Sequence, residues 1–250
     1  MTLEGKVAVI TGASRGIGRA LAVGFAQEGA VVVAAARTQR PTSGSPEGSL
    51  EETVQRIMEA GGKAIAMSCD VASEGDVKAL VERTLSQVGP IDVLVNNAGV
   101  LLSGPITDFD AAQWDTVMAV NLRGPFLMCK YVLPGMMERR QGSVINISSR
   151  SAIWEEAESL AYGPSKAALD RFTLNLAADV KSHNIAVNAL GPGLVASEMT
   201  RDINPSNDKW GRWPAPPEEI VPSAVWLAQQ DASTFTGRVV HRDEFGETWP

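Results

Sequence analysis

Tyr162 and Lys166 stand four residues apart in the run Tyr-Gly-Pro-Ser-Lys. At the start of a helix, positions i and i+4 share a face, so phenol and ammonium would lie side by side. A phenol with a pKa near about 10 is a poor acid–base group at neutral pH. A neighbouring ammonium favours phenolate and draws that pKa toward a usable value. Ser149, near the end of a strand-like run, adds a hydroxyl able to hydrogen-bond a reacting oxygen. Together these groups can move a proton on and off an oxygen. Metal chemistry has no comparable footing: His183 and His241 are the only histidines, and no carboxylate cluster has ligand spacing. Both histidines read as structural or surface residues.

A second chemistry sits near the N-terminus. Thr11-Gly12-Ala13-Ser14-Arg15-Gly16-Ile17-Gly18 joins a β-branched run to a helical one. Glycines there let the backbone turn tightly and approach a pyrophosphate, and the following helix start supplies N–H donors. This predicts dinucleotide binding. The next strand ends Ala34-Ala35-Ala36-Arg37-Thr38. An NAD site usually carries an acid here for the ribose 2′-hydroxyl. None is present at 34–38, and the Arg37 guanidinium suits a 2′-phosphate instead. Arg15 could approach the same phosphate. The expected cofactor is NADP(H), with NAD(H) as the alternative.

These groups need a scaffold that brings distant loops together. Lys6–Ile10, Ala30–Ala36, Ala64–Ser68, Val93–Val95, Ser143–Ser148 and Ile185–Leu190 are short apolar runs typical of strands covered on both faces. Between them lie helical stretches at Gly18–Glu28, Glu51–Ala60, Asp76–Val88 and Ser165–Val180, and a long one from Trp114 to Met137 bent or shared around Pro125. Alternation of this kind predicts one Rossmann-type domain over 1–250, a doubly wound parallel sheet flanked by helices on both faces. Two segments break the rhythm. Thr38–Ser49 is a Pro/Gly/Ser-rich loop. Residues 198–217, with Trp210 and Trp213, form an excursion that could serve as a substrate lid.

The bulk numbers agree. A chain of 250 residues with 44% apolar and 20% charged residues is ordinary for a globular domain. A net charge of −7 argues against nucleic acid as a partner. No apolar run approaches the roughly 20 residues a bilayer span requires, and no signal core follows Met1, so no membrane partner and a cytoplasmic location are expected. Cys69 and Cys129 are too few for a disulfide scaffold and read as buried thiols.

In order along the chain, Thr-Gly-x-x-x-Gly-x-Gly at 11–18, Asp70-Val71, Asn96-Asn97-Ala98-Gly99, Asn121, Ser149, Tyr162-x-x-x-Lys166 and Pro192-Gly193 resemble the short-chain dehydrogenase/reductase family over nearly the full length. The resemblance implies hydride transfer between a nicotinamide and a carbonyl or alcohol carbon. Tyr162 would be the general acid or base. Lys166 would lower its pKa and bind the nicotinamide ribose. Ser149, at the family's usual interval before Tyr162, would polarise the substrate oxygen. Asn121 would hold a helix kink and a proton-relay water. Gly12, Ser14, Arg15, Gly16, Ile17 and Gly18 would cradle the cofactor, with Arg37 and Thr38 at its phosphate end. Asp70 and Val71 would meet adenine. Asn97, Ala98 and Gly99 would line the channel, and Pro192, Gly193, Val195 and Ser197 would meet the carboxamide end. Assembly as a homotetramer or homodimer is also implied.

The chain departs from the family's pattern in places. Ser197 replaces the usual threonine and keeps the hydroxyl. Glu155 and Glu156, between Ser149 and Tyr162, would either repel acidic substrates or face solvent. Trp154, Trp210 and Trp213 would either wall a pocket for an apolar or aromatic substrate portion or pack the lid. The C-terminal run 241–250 is more charged than the usual ending. A non-catalytic cofactor sensor on the same fold is the competing reading, and the presence of Asn121, Ser149, Tyr162 and Lys166 together argues against it.

Overall fold

The structure is a computed structural model that describes residues 1–40, 48–197 and 214–250. Seven strands form one sheet: β1 (Val7–Thr11), β2 (Val31–Ala36), β3 (Lys63–Ser68), β4 (Val93–Asn96), β5 (Gly142–Ile147), β6 (Ile185–Gly191) and β7 (Arg238–His241). Their order is β3-β2-β1-β4-β5-β6-β7, and every neighbouring pair is parallel. The expected doubly wound parallel sheet is present.

The pleat explains the two-sided core. In β1, Ala8 and Ile10 enter one apolar layer, whereas Val7 and Val9 enter the other. The first layer is closed by α1 (Gly16–Gln27), α2 (Leu50–Glu59) and α7 (Val221–Ala228), through Leu21, Phe25, Ile57 and Leu227. The second is closed by α3 (Glu74–Gln87), α5 (Gly124–Arg139) and α6 (Tyr162–Val180), through Leu80, Leu127, Met136 and Val180. Helix starts are set locally. Ser49 and Glu52 form a reciprocal capping box on α2, Ser73 caps α3, and Asp110 with Gln113 caps α4 (Ala111–Met118).

The long helical stretch around Pro125 divides differently from expectation. The interruption is a π-helical turn at Ala119–Arg123, between α4 and α5, and Pro125 sits in the first turn of α5. There it follows the π turn within one continuous helical run and has no N–H to give a carbonyl of that turn. Asn121 lies inside the widened turn. The helix carrying the Tyr-Lys pair also begins earlier than the apolar period implied, at Tyr162 and not Ser165. α7 and β7 were not anticipated.

Strand order reverses around β1 and β4, so the loops leaving their carboxyl ends diverge and open a crevice. The segment 198–217, expected to serve as a lid, lies outside the described residues apart from 214–217. Leu194 and Ala196 exchange backbone hydrogen bonds with Ala215, so the chain returns beside its point of departure. No helix among the described residues is long and apolar enough to cross a membrane.

Candidate active site

One groove runs across the carboxyl ends of the strands. It is lined by Gly12 and Ser14 to Gly18 after β1, by Arg37 and Thr38 after β2, and by Asp70 and Val71 after β3. Asn97, Ala98 and Gly99 follow from β4, Tyr162 and Lys166 from α6, and Pro192 and Ser197 from the end of β6. Residues from separate turns of the sequence therefore share one wall. Sequence reasoning passed over Ala36, Cys69, Val100, Val120, Ile147 and Ser148, which line it too. All but Ser148 are apolar or thiol side chains that read as core, and only the fold brings the six to the groove. Gly193 and Val195 continue the β6 loop without lining the groove.

The glycine turn is held by a lock between β1 and β4. Thr11 Oγ1 accepts from the backbone N–H groups of Asn97 and Ala98, at 3.0 and 3.1 Å. Asn97 Nδ2 donates to Thr11 O at 2.8 Å. Gly12 has φ +68, and a Cβ there would stand 2.8 Å from Asn97 Nδ2. A Cβ at Gly18 would run into the Gly12 carbonyl. Both positions thus demand glycine, and the turn is fixed before any ligand arrives.

The residues fit a dinucleotide. α1 opens on the groove with no side-chain cap and no acid in its first turn, unlike α2 and α3. Its first N–H groups and dipole are available to a diphosphate. Arg37 is exposed at one end of the groove and Arg15 half-buried beside it. Asp70 is fixed by an Asx turn, accepting from Ala72 N at 3.0 Å.

At the other end stands the proton-transfer group. Lys166 is 4% exposed, and its Nζ donates to Ile147 O at 2.8 Å. Nζ lies 5.6 Å from the Tyr162 ring centroid. Burial draws Lys166 down to about 8, with Asp170, one turn further along α6, opposing the drop. The expected depression of Tyr162 by Lys166 is not what the geometry gives. Burial pushes the phenol up, a Ser149 hydrogen bond works downward, and the Glu156 carboxylate adds to the rise. The ammonium gives its hydrogen bond to Ile147 O, and the influences acting on the phenol are burial, Ser149 and Glu156.

Asn121 is fully buried behind this pair. Its Oδ1 accepts from Val100 N at 2.8 Å, and its Nδ2 donates to Val100 O at 2.9 Å and to Ser165 Oγ at 3.1 Å. Ser149 begins the segment after β5, and its Oγ accepts from Ser151 N at 3.1 Å. Glu156 is not simply solvated: it accepts from Ser151 Oγ at 2.7 Å. Trp154 packs under the Arg150 guanidinium, 5.3 Å from its carbon to the ring centre. Trp210 and Trp213 lie outside the described residues. Cys69 and Cys129 are buried and pushed up to about 12, as inert thiols should be. No group of three or more metal-binding side chains occurs among the described residues.

A dinucleotide groove with Tyr162 and Lys166 in its wall, and Ser149 directly after the lining residue Ser148, defines an NAD(P)-dependent oxidoreductase. Residues 6–208 match the family model described as short chain dehydrogenase, and the chain belongs to that family. A 3-oxoacyl-(acyl-carrier-protein) reductase of Thermotoga maritima is 35% identical over 97% of this chain and 98% of its own. A 2-dehydro-3-deoxy-D-gluconate 5-dehydrogenase of Formosa agariphila is 32% identical over 96% of this chain and 92% of its own. The crystal structure of a gluconate 5-dehydrogenase from Burkholderia cenocepacia, in complex with NADP and tartrate, superposes with a TM-score of 0.84 at 30% identity, over 96% of this chain and 94% of that one.

Proposed function

We propose that the protein interconverts a secondary alcohol and a ketone with NADP(H), using Tyr162 as the acid–base group. The observation that carries this is the groove itself, which joins Arg15 and Arg37 at one end to Tyr162 and Lys166 at the other. The absence of an acid at 34–38 and the NADP bound to the Burkholderia cenocepacia relative support the phosphorylated cofactor.

The bound nicotinamide supplies or accepts the hydride. Tyr162 gives its proton to the substrate oxygen in reduction and takes it back in oxidation. Its raised pKa suits the acid role at neutral pH. Ser149 places a hydroxyl at the same oxygen, where negative charge develops. Lys166 holds the nicotinamide ribose and its own amine near a titratable range, and Asn121 shapes the backbone behind it.

The relatives' names point to two substrate chemistries, sugar acids and acyl thioesters, alongside the aromatic ketones that the tryptophans suggested. Gluconate with 5-keto-D-gluconate, a 3-oxoacyl thioester and an aryl ketone make the first panel, each with both cofactors. Tyr162→Phe is expected to lose at least about a thousandfold in kcat/KM on whichever pair is turned over, within the range for removing a general acid. Turnover persisting in that variant would remove Tyr162 from the mechanism. Assembly as a homotetramer or homodimer belongs to the same proposal and is read by analytical ultracentrifugation.

A further inference from the structure

The first turn of α2 is bonded to two separate lips of the groove. On one side it holds the segment after β2: Leu50 N donates to Thr38 O and Glu51 N to Gln39 O, each at 3.1 Å. On the other it reaches the glycine turn. Thr53 is fully buried, and its Oγ1 donates to Ala13 O at 2.8 Å. That is the nearer of its two acceptors, the other being Ser49 O at 3.2 Å within the helix. The same Oγ1 accepts from Nε of Arg19, on α1, at 3.2 Å. The Arg19 guanidinium closes the link, its Nη2 donating to Ser14 O and, at 3.2 Å, to Glu52 Oε2. Glu52 is itself fixed by the capping box with Ser49. Neither Arg19 nor Thr53 lines the groove, whereas Ser14, Arg15, Arg37 and Thr38 do.

We propose that Arg19 and Thr53 are positioning residues: with the first turn of α2 they set the glycine turn against the segment after β2, and so decide how well the groove grips the 2′-phosphate of NADP(H). The proposal rests on the NADP(H) reading given above. The two bonds act through the peptide units they hold. A trans peptide is planar, so its C=O and the N–H that follows point in opposite directions. Turning the Ala13 and Ser14 carbonyls onto Thr53 and Arg19 sends the Ser14 and Arg15 N–H groups the other way, to the side that lines the groove. The two lips held in this way carry Arg15 and Arg37. A guanidinium suits the task because its donors diverge in one rigid plane toward three acceptors, where an ammonium is a point with no fixed plane.

Isothermal titration of the full chain needs no substrate and uses two probes that differ only in the group at issue, adenosine 2′,5′-bisphosphate and adenosine 5′-monophosphate. The parent is expected to prefer the bisphosphate. Thr53→Val keeps the shape of the side chain and removes its bonds to Ala13 and Arg19. It is expected to cut that preference at least about tenfold, the worth of one charge-assisted hydrogen bond. Thr53→Ser restores the preference. Arg19→Met loses it to a similar extent, and Arg19→Lys does not bring it back. In turnover the loss falls on the KM for NADP(H) and not on kcat, because Tyr162 and Lys166 stand at the other end of the groove. A melting curve identifies a variant that has lost its fold; Arg19 is only half-buried, and Arg19→Met then carries the test. If both probes weaken equally, the two residues support the groove as a whole and the proposal fails. If Arg19→Lys keeps the full preference that Arg19→Met loses, Arg19 acts by charge and not as a brace, and the proposal fails again. Variants that keep the parent's preference overturn this inference alone. A parent that binds the two probes alike overturns the NADP(H) reading and this inference with it.

Discussion

Asn121→Ala tests fold and site together. The side chain is fully buried and makes three hydrogen bonds, two to Val100 and one to Ser165. Alanine leaves those partners short. Val100 is half-buried, so water can recover part of its loss, and Ser165 Oγ keeps its 2.7 Å bond to Tyr162 O. At about 1 kcal/mol per net bond, and up to about 3 for a group left wholly unsatisfied, the expected loss is about 2–4 kcal/mol. With a urea slope of about 3 kcal/mol/M for a chain this long, the midpoint falls by about 1 M at unchanged slope. Val100 also lines the groove, so kcat/KM measured well below the melting temperature is expected to fall more than tenfold. A midpoint shift below about 0.3 M with activity retained would refute the view that Asn121 braces the groove wall.

Other predictions follow the same logic. Arg37→Asp is expected to shift the ratio of kcat/KM from NADP(H) toward NAD(H) by about tenfold or more, since a carboxylate repels a 2′-phosphate and accepts from a 2′-hydroxyl; an unchanged ratio sinks the assignment. Lys166 is drawn down from 10.5 to about 8. Between those values the unfolded chain holds a proton that the native chain lacks, so stability rises with pH across pH 8–10.5. Lys166→Met is therefore expected to be inactive yet more stable than the parent near pH 7, with the margin shrinking over that window; denaturant midpoints at pH 7, 9 and 10.5 check it. Trp249→Ala removes a side chain packed against Trp226, Phe235 and Phe245 and bonded through Nε1 to His241 O. The cost is about 3 kcal/mol, seen as a melting temperature lower by roughly 6–12 °C.

The parallel sheet was legible because each inner strand is a run of small and β-branched residues, a local signal. So was the glycine turn, whose conformational demands lie in neighbouring residues. What escaped was long-range. Thr11 stands 86 residues from Asn97, and only the pairing of β1 with β4 makes its hydroxyl the acceptor for that loop. Asn96, Asn146 and Thr173 form a buried polar line across β4, β5 and α6, at 2.8 Å each, with nothing in the local pattern to announce it. The effect of Lys166 on Tyr162 was misjudged because helical spacing fixes which residues share a face but not where a long side chain ends. Nζ ends at Ile147 O.

The C-terminal run shows the same limit from another side. By composition it is charged, and it looks like a solvated tail. In the fold, Trp249 is buried and Phe245 packs on it, so two aromatic residues anchor the segment while Arg242, Asp243 and Glu244 engage particular partners. Arg150, the residue after Ser149, reaches Asp243 at 2.8 Å and Glu244 at 2.9 Å. Arg242 donates to Pro192 O at 2.9 Å and pairs with Glu219. One short segment therefore grips the ends of both β5 and β6, the strands that lead into Ser149 and Pro192. Burial works against the Arg150 charge, but its two carboxylates outweigh that and hold it more firmly protonated. A partly buried ion pair adds little to stability over an apolar replacement. Its value here is geometric: it fixes the segment after Ser149 against the C-terminal run, so the end of β5 keeps one position relative to the end of β6.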